Sequence, residues 1–158
     1  MKTIFAAIGA LAILPTATAT EVAVTISDDF AEELTDNYGE REGERLTEEI
    51  IEDLDRAFNK AGVSPARVDV EIVDAKPNRP TFEQLSQRPG LDALRSISIG
   101  GMELVGTAYD AEGNVIATQE YEWFENDLRD VIAAHTWSDA NRASRRFASK
   151  LADQLSDS

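Results

Sequence analysis

Residues 21–72 read EVAVTISDDFAEELTDNYGEREGERLTEEIIEDLDRAFNKAGVSPARVDVEI, and the apolar period changes twice within them. Val22, Val24 and Ile26 alternate, the two-residue period of a half-buried strand. Ser27 or Asp28 then offers an N-cap for a short helical stretch over 29–37, with Phe30 and Leu34 four residues apart. From Glu40 to Ala61 the period is helical, with Leu46, Ile50, Leu54, Ala57, Phe58 and Ala61 on one stripe. Gly62 stands where a glycine ends a helix. Gly39 and Gly43 continue the stripe, although glycine costs a helix up to about 1 kcal/mol, so close approach of that end to another element is expected. Glu44, Glu48, Glu52 and Asp55 fall on the opposite, solvated face. Val68, Val70 and Ile72 restore the strand period after Pro65. Strand, helical crossover and strand together predict a parallel pair, which is almost always right-handed.

Downstream, three prolines and Gly90 interrupt residues 75–90, where Thr81 and Gln84 form a capping-box pattern for a short helix over 82–86. Gly100-Gly101 predicts a bend or bulge. Met102–Tyr109 and Val115–Phe124 read as two strands joined by the turn Asp110-Ala111-Glu112-Gly113-Asn114. If Asp110 faces Asn114, Gly106 faces Thr118 and Val105 faces Gln119. Strand alternation then puts Tyr109, Tyr121, Trp123, Val105, Val115 and Ala117 on one side. Leu104, Gly106, Ala108, Ile116, Thr118, Phe124, Glu120 and Glu122 take the other. The small residues of this second side assign the helices to it, leaving the aromatic side partly open as an interaction surface. The competing reading makes the aromatic side the core. Leu128, Val131 and Ile132 suggest a short helical stretch. A last helix opens at Ser138 as N-cap, with Asp139 in its first turn and a stripe of Ala140, Ala143, Phe147, Leu151 and Leu155. The order β-α-α-β-loop-β-β-α predicts an α+β two-layer sandwich: a four-stranded mixed sheet with helices on one face.

Ahead of this domain, Lys2 is followed by the uncharged apolar run Ile4–Leu14, then Pro15 and the small residues Ala17-Thr18-Ala19. That is the pattern of an export signal over residues 1–19, cleaved before Thr20 to leave residues 20–158 as one domain. The run makes a helix of roughly 16 Å, about half a bilayer core, so a membrane span is not expected. The chain has no cysteine, which removes a lipobox anchor, disulfides and thiol chemistry. The expected location is the bacterial periplasm or the medium. Net charge is −15, and loss of Lys2 makes it −16. Such a field repels nucleic acid and anionic lipid, which are excluded as general partners.

The element order, the acidic helix opening Tyr38-Gly39-Glu40-Arg41-Glu42-Gly43 and the Asp-x-x-Gly hairpin resemble a group of small bacterial envelope domains. The group includes uncharacterised families of exported proteins, and the domain shared by the curli-secretion protein and the lipoprotein activator of penicillin-binding proteins. The resemblance implies work by protein–protein contact, not catalysis, with an envelope protein or a second copy as partner. Members are often lipid-anchored through cysteine; this chain departs from them there.

Residue chemistry adds little to an enzymatic case. His135 is the single histidine, and no Gly-x-Ser-x-Gly marks a nucleophile for it. One histidine without cysteine is a poor zinc set, and the 110–114 turn lacks EF-hand spacing. Thirty acidic residues produce carboxylate pairs by chance, so no glycosidase pair stands out. No catalytic residue, metal site or cofactor is therefore expected. Arg142, Arg145, Arg146 and Lys150 form a basic stripe on the last helix, read either as partners for the acidic helix or as a docking patch. Arg79 and Arg88 are read mainly as tethers of their loop, alternatively as contacts for an anionic ligand. The binding candidates are thus Arg79, Arg88, Tyr109, Tyr121, Trp123, Arg142, Arg145 and Arg146. The rival to an interaction domain is a small ligand-binding or hydrolytic protein with a pocket beside the 76–90 loop.

Overall fold

The computed structural model describes residues 19–131 and 135–157. The expected export signal, apart from Ala19, lies outside the described residues, as does Ile132. Strands β1 (Glu21–Ile26), β2 (Arg67–Lys76), β3 (Gly101–Tyr109) and β4 (Val115–Phe124) form one sheet in that spatial order. β1 and β2 run parallel, as the long crossover between them requires, and the other neighbours are antiparallel. The helices are α1 (Asp28–Glu33), α2 (Glu40–Ala61), α3 (Phe82–Gln87) and α4 (Ser138–Ser156). α2 and α4 pack on each other, α2 reaching β1 and α4 lying over β3 and β4. This is the two-layer α+β sandwich that the periodicity predicts.

Local chemistry accounts for the element ends. The Ser27 hydroxyl accepts from the Phe30 amide, and α1 runs straight into a five-residue π-helical turn, Leu34–Tyr38. Gly62 ends α2 in a left-handed conformation that costs glycine nothing. The predicted close approach occurs at Gly43, where a Cβ would stand 2.9 Å from Leu34 and 3.0 Å from Ile26. Thr81 and Gln84 cap α3 reciprocally. Ser138 is the first residue of α4 and not its cap; its hydroxyl instead accepts from the His135 amide and donates to the His135 carbonyl. Leu46, Ile50, Leu54 and Phe58 of α2 meet Phe147 and Leu151 of α4 above Val68, Val70, Ile72 and Leu104, all buried. Gly106 lies beneath the Phe147 ring, which a Cβ would approach to 2.5 Å.

The hairpin register corrects the sequence reading. Asp110 does face Asn114, and its carboxylate accepts from the Glu112 and Asn114 amides and the Asn114 side chain. Tyr109 then pairs with Val115 but Ala108 pairs with Ala117, so Ile116 is an extra residue. Beyond this bulge Gly106 faces Gln119 and Val105 faces Glu120. A one-residue shift moves every later side chain to the other face. Tyr121 and Trp123 therefore join the helix layer, and Glu120 and Glu122 point to water. The open aromatic face is overturned, because the alternative places two carboxylates under a helix at several kcal/mol each.

Buried polar groups fasten the N-terminal end of α4. Asn78, fully buried, donates to Asp139 Oδ2 at 2.6 Å and to the Ser98 carbonyl at 3.1 Å. It accepts the Asp139 amide at 2.7 Å. Gly100 leaves the room for it: a Cβ there would lie 2.7 Å from the Asn78 amide group. Trp137 donates to Glu42 at 2.7 Å and meets Tyr38 edge-on with centroids 5.8 Å apart. Asn78→Ala should cost about 2–3 kcal/mol in denaturant unfolding, since it strips a buried carboxylate of its donor. Burial, then the nearby Glu33 and Asp74 carboxylates, pushes the Tyr38 phenol up to about 12. The folded phenol therefore keeps its proton to higher pH than the unfolded one. Stability should fall as pH rises from the ordinary phenol range toward about 12, a loss that Tyr38→Phe should remove in denaturant unfolding at alkaline pH.

Candidate functional site

β4 is an edge strand, and its inward row of Gln119, Tyr121 and Trp123 lies along α4. Two residues along a strand advance about 6.6 Å, and four along a helix about 6 Å. The two elements can therefore be zipped step for step. Arg142 and Arg146 sit over the Trp123 ring at 5.3 and 4.9 Å. Lys150 sits over Tyr121 at 5.8 Å, and Gln154 donates to Gln119 at 2.9 Å. Cations over aromatic faces are attracted by the ring quadrupole. The result is a ladder in which residues 142, 146, 150 and 154 descend α4 as residues 123, 121 and 119 ascend β4.

The ladder's charges differ in how they are held. Arg142 is half-buried and lies 3.6 Å from Asp139 Oδ1, the carboxylate oxygen that makes no hydrogen bond. Arg146 and Lys150 are exposed, and among the described residues neither has a carboxylate within 4 Å. This occurs in a chain with 30 acidic residues against 15 basic ones. The opposite face of the same edge is acidic. Asp74, Glu103 and Glu122 are direct neighbours across β2, β3 and β4, and Glu120 lies one step further. Partial burial pushes the Glu103 carboxyl up, and Glu122, Asp74 and Glu120 push it further.

The remaining candidates are dispersed. Tyr109 is on the acidic face, its ring 4.2 Å from the Arg67 guanidinium. Arg145 turns toward α2, 4.0 Å from Glu49, so the acidic helix takes one member of the stripe. Arg79 donates to the Leu94 and Ala93 carbonyls at 2.7 and 3.3 Å, and Arg88 to Asn37 at 3.2 Å. Arg79 thus bonds within its own segment, and Arg88 bonds to the turn ahead of α2. Arg79 and exposed His135 also line an open groove of about 560 Å³ with Arg45, Glu48, Glu52 and Asn141. The neighbouring Ser138 hydroxyl is bonded to the main chain of His135 on both sides, an arrangement that does not pair a nucleophile with the imidazole. Sequence reading missed Gln119 and Gln154; matching four-residue steps on the helix to two-residue steps on the strand would have found them.

No family model matches the chain, and no curated protein matches it. Among solved structures it is similar to a minor lipoprotein from Acinetobacter baumannii, at 11% identity and a TM-score of 0.40 over 90% of this chain and 94% of that one. A likeness of that degree carries no argument about function. No helix of the described residues is long and apolar enough to cross a membrane.

The acidic face makes a stability prediction. The raised Glu103 carboxyl favours the folded state only below the carboxylate range and loses that contribution as pH rises. Glu103→Gln should therefore stabilise the protein at neutral pH by roughly 0.5 kcal/mol, as removal of a like-charge cross-strand neighbour does. Thermal melts should show the gain shrinking in mild acid.

Proposed function

We propose that the chain is a non-enzymatic protein–protein interaction domain of the bacterial envelope. It is exported by the signal over residues 1–19 and works as one domain, residues 20–158, in the periplasm or outside the cell. The observation that carries this reading is the ladder: two exposed cations, without carboxylate partners among the described residues, held over aromatic rings at a sheet edge that no described strand covers, in a strongly acidic protein. Arg and aromatic groups placed together, partly desolvated and fixed in geometry, are the usual anchors of protein interfaces. The ladder rings are partly covered and not an open patch, so the surface is electrostatic as much as apolar.

The groove at Arg79 and His135 gives the ligand-binding reading its one observation. Arg45, Glu48 and Glu52 are solvent-exposed and Arg79 half-buried, in an open depression. Cross-linking the mature protein in its native envelope, then purifying it for mass spectrometry, tests the interaction reading. One or two stoichiometric envelope proteins should be captured by the wild type and by His135→Ala, and lost with Arg146→Glu or Lys150→Glu. Recovery of the protein alone would reject it.

A further inference from the structure

The outer edge of β4 has a chemistry that selects what can pair with it. The Glu125 amide donates to the Gly100 carbonyl, which fixes the alternation of the β3–β4 ladder. Residues 119, 121 and 123 thus bond inward to β3. Thr118, Glu120, Glu122 and Phe124 direct their backbone amides and carbonyls outward, and among the described residues no strand takes them up. The Glu120 carbonyl accepts from the Gln119 side chain, which an added strand would displace, and no strand lies along the rest of the outer edge of this ten-residue strand among the described residues. Such an edge is a template for another extended segment.

A strand added there would lie about 4.8 Å from β4, with side chains alternating between the two faces. Those beside Tyr121 and Trp123 would enter the helix layer, next to Lys150 and Arg146. They would be two residues apart, about 6.6 Å, against about 6 Å between the two cations along α4. Those between them would lie beside Glu120 and Glu122, where a further carboxylate is repelled. We infer that β4 takes up, as a fifth strand, an extended segment of another protein with acidic side chains at alternate positions and non-acidic ones between. The carboxylates pair with Arg146 and Lys150; the backbone pairs with residues 118–124. The inference rests on the interaction reading above and gives its partner a chemistry. A second copy added antiparallel does not meet the requirement: its β4 would set Glu120 and Glu122 against their counterparts on one face, and Arg146 and Lys150 near theirs on the other. A copy added parallel would turn its Glu120 and Glu122 toward these cations, so a dimer of the mature chain in sedimentation, lost in Glu120→Pro, would overturn the choice of another protein as the occupant.

The test uses the mature chain and synthetic peptides of about eight residues, the length of an ordinary strand. One alternates Glu and Thr. A second has the same composition in two blocks. A third is the alternating peptide with N-methyl groups on every second amide, which cannot complete a ladder. Titration calorimetry should show binding of the first alone, weakened by salt and by roughly tenfold or more in Arg146→Glu and Lys150→Glu. Glu120→Pro removes one outward amide while leaving the inward bonds, a position where an edge tolerates proline. It should abolish binding with the circular dichroism spectrum kept; should that variant fail to fold, the N-methylated peptide decides the same point. Equal binding of the blocked or N-methylated peptide overturns strand addition in favour of a general polyanion surface. No binding of the alternating peptide overturns it outright. In either case envelope cross-links lost on Lys150→Glu would leave the interaction reading standing.

Discussion

Glu120 and Glu122 cannot lie beneath α4 without losing their hydration. The cost of burying two carboxylates, several kcal/mol each, exceeds the cost of one disrupted ladder position, of order 1 kcal/mol. The hairpin therefore carries an extra residue at Ile116. That residue fixes both faces of the sheet at once. Tyr121 and Trp123 go under the helix, the glutamates go to water, and the small residues Gly106 and Ala108 stay inward because the bulge lies on β4 and not on β3.

Placing aromatic rings in the helix layer at the sheet's edge then dictates what α4 presents to them. A ring at a sheet margin is covered from one side only, and long amphipathic side chains can cover the rest while their charged ends reach water. Arg142, Arg146 and Lys150 do this, at four-residue steps that track the pleat of β4. The helix holds that register because it is pinned at separate points: Asn78 at Asp139, Phe147 over Gly106, and Gln154 at Gln119. A ladder built on one pin would slide. With three it holds its charges in fixed places, and fixed charges bind with less ordering cost than free ones.

The sequence carried most of the fold because its signals are local. The two-residue period of Val22 to Ile26, the stripe from Leu46 to Phe58, Gly62 and the Thr81–Gln84 box each act within a few residues, and α2 and β4 have the predicted limits. The hairpin failed where a local signal met a non-local one. Asp110 and Asn114 set the turn correctly, but simple counting from a turn assumes no bulge, and a bulge leaves no compositional mark at Ile116. The missing signal was energetic: a side of β4 that contains Glu120 and Glu122 is a poor choice for the buried one. The ladder was half legible. Arg142, Arg146 and Lys150 are visible as a stripe, and Tyr121 and Trp123 as a pair, but their meeting depends on the corrected face. The Asn78–Asp139 link joins residues 61 apart and has no sequence pattern at all.

An edge strand flanked by charges of one sign is protected against pairing of every kind, and many proteins blunt their edges so. β4 is different because its two faces carry opposite signs. Glutamates on the open face repel a strand that is acidic on that side, including an antiparallel copy of β4. Cations on the helix face repel a strand that is basic on that side. An uncharged strand meets neither repulsion nor attraction, while one with acids confined to alternate positions meets attraction on one face and no penalty on the other. The bulge that keeps Glu120 and Glu122 out of the core is thus also what gives the edge its selectivity. Without that extra residue the glutamates and the cations would face each other, neutralise, and leave the edge indifferent to charge.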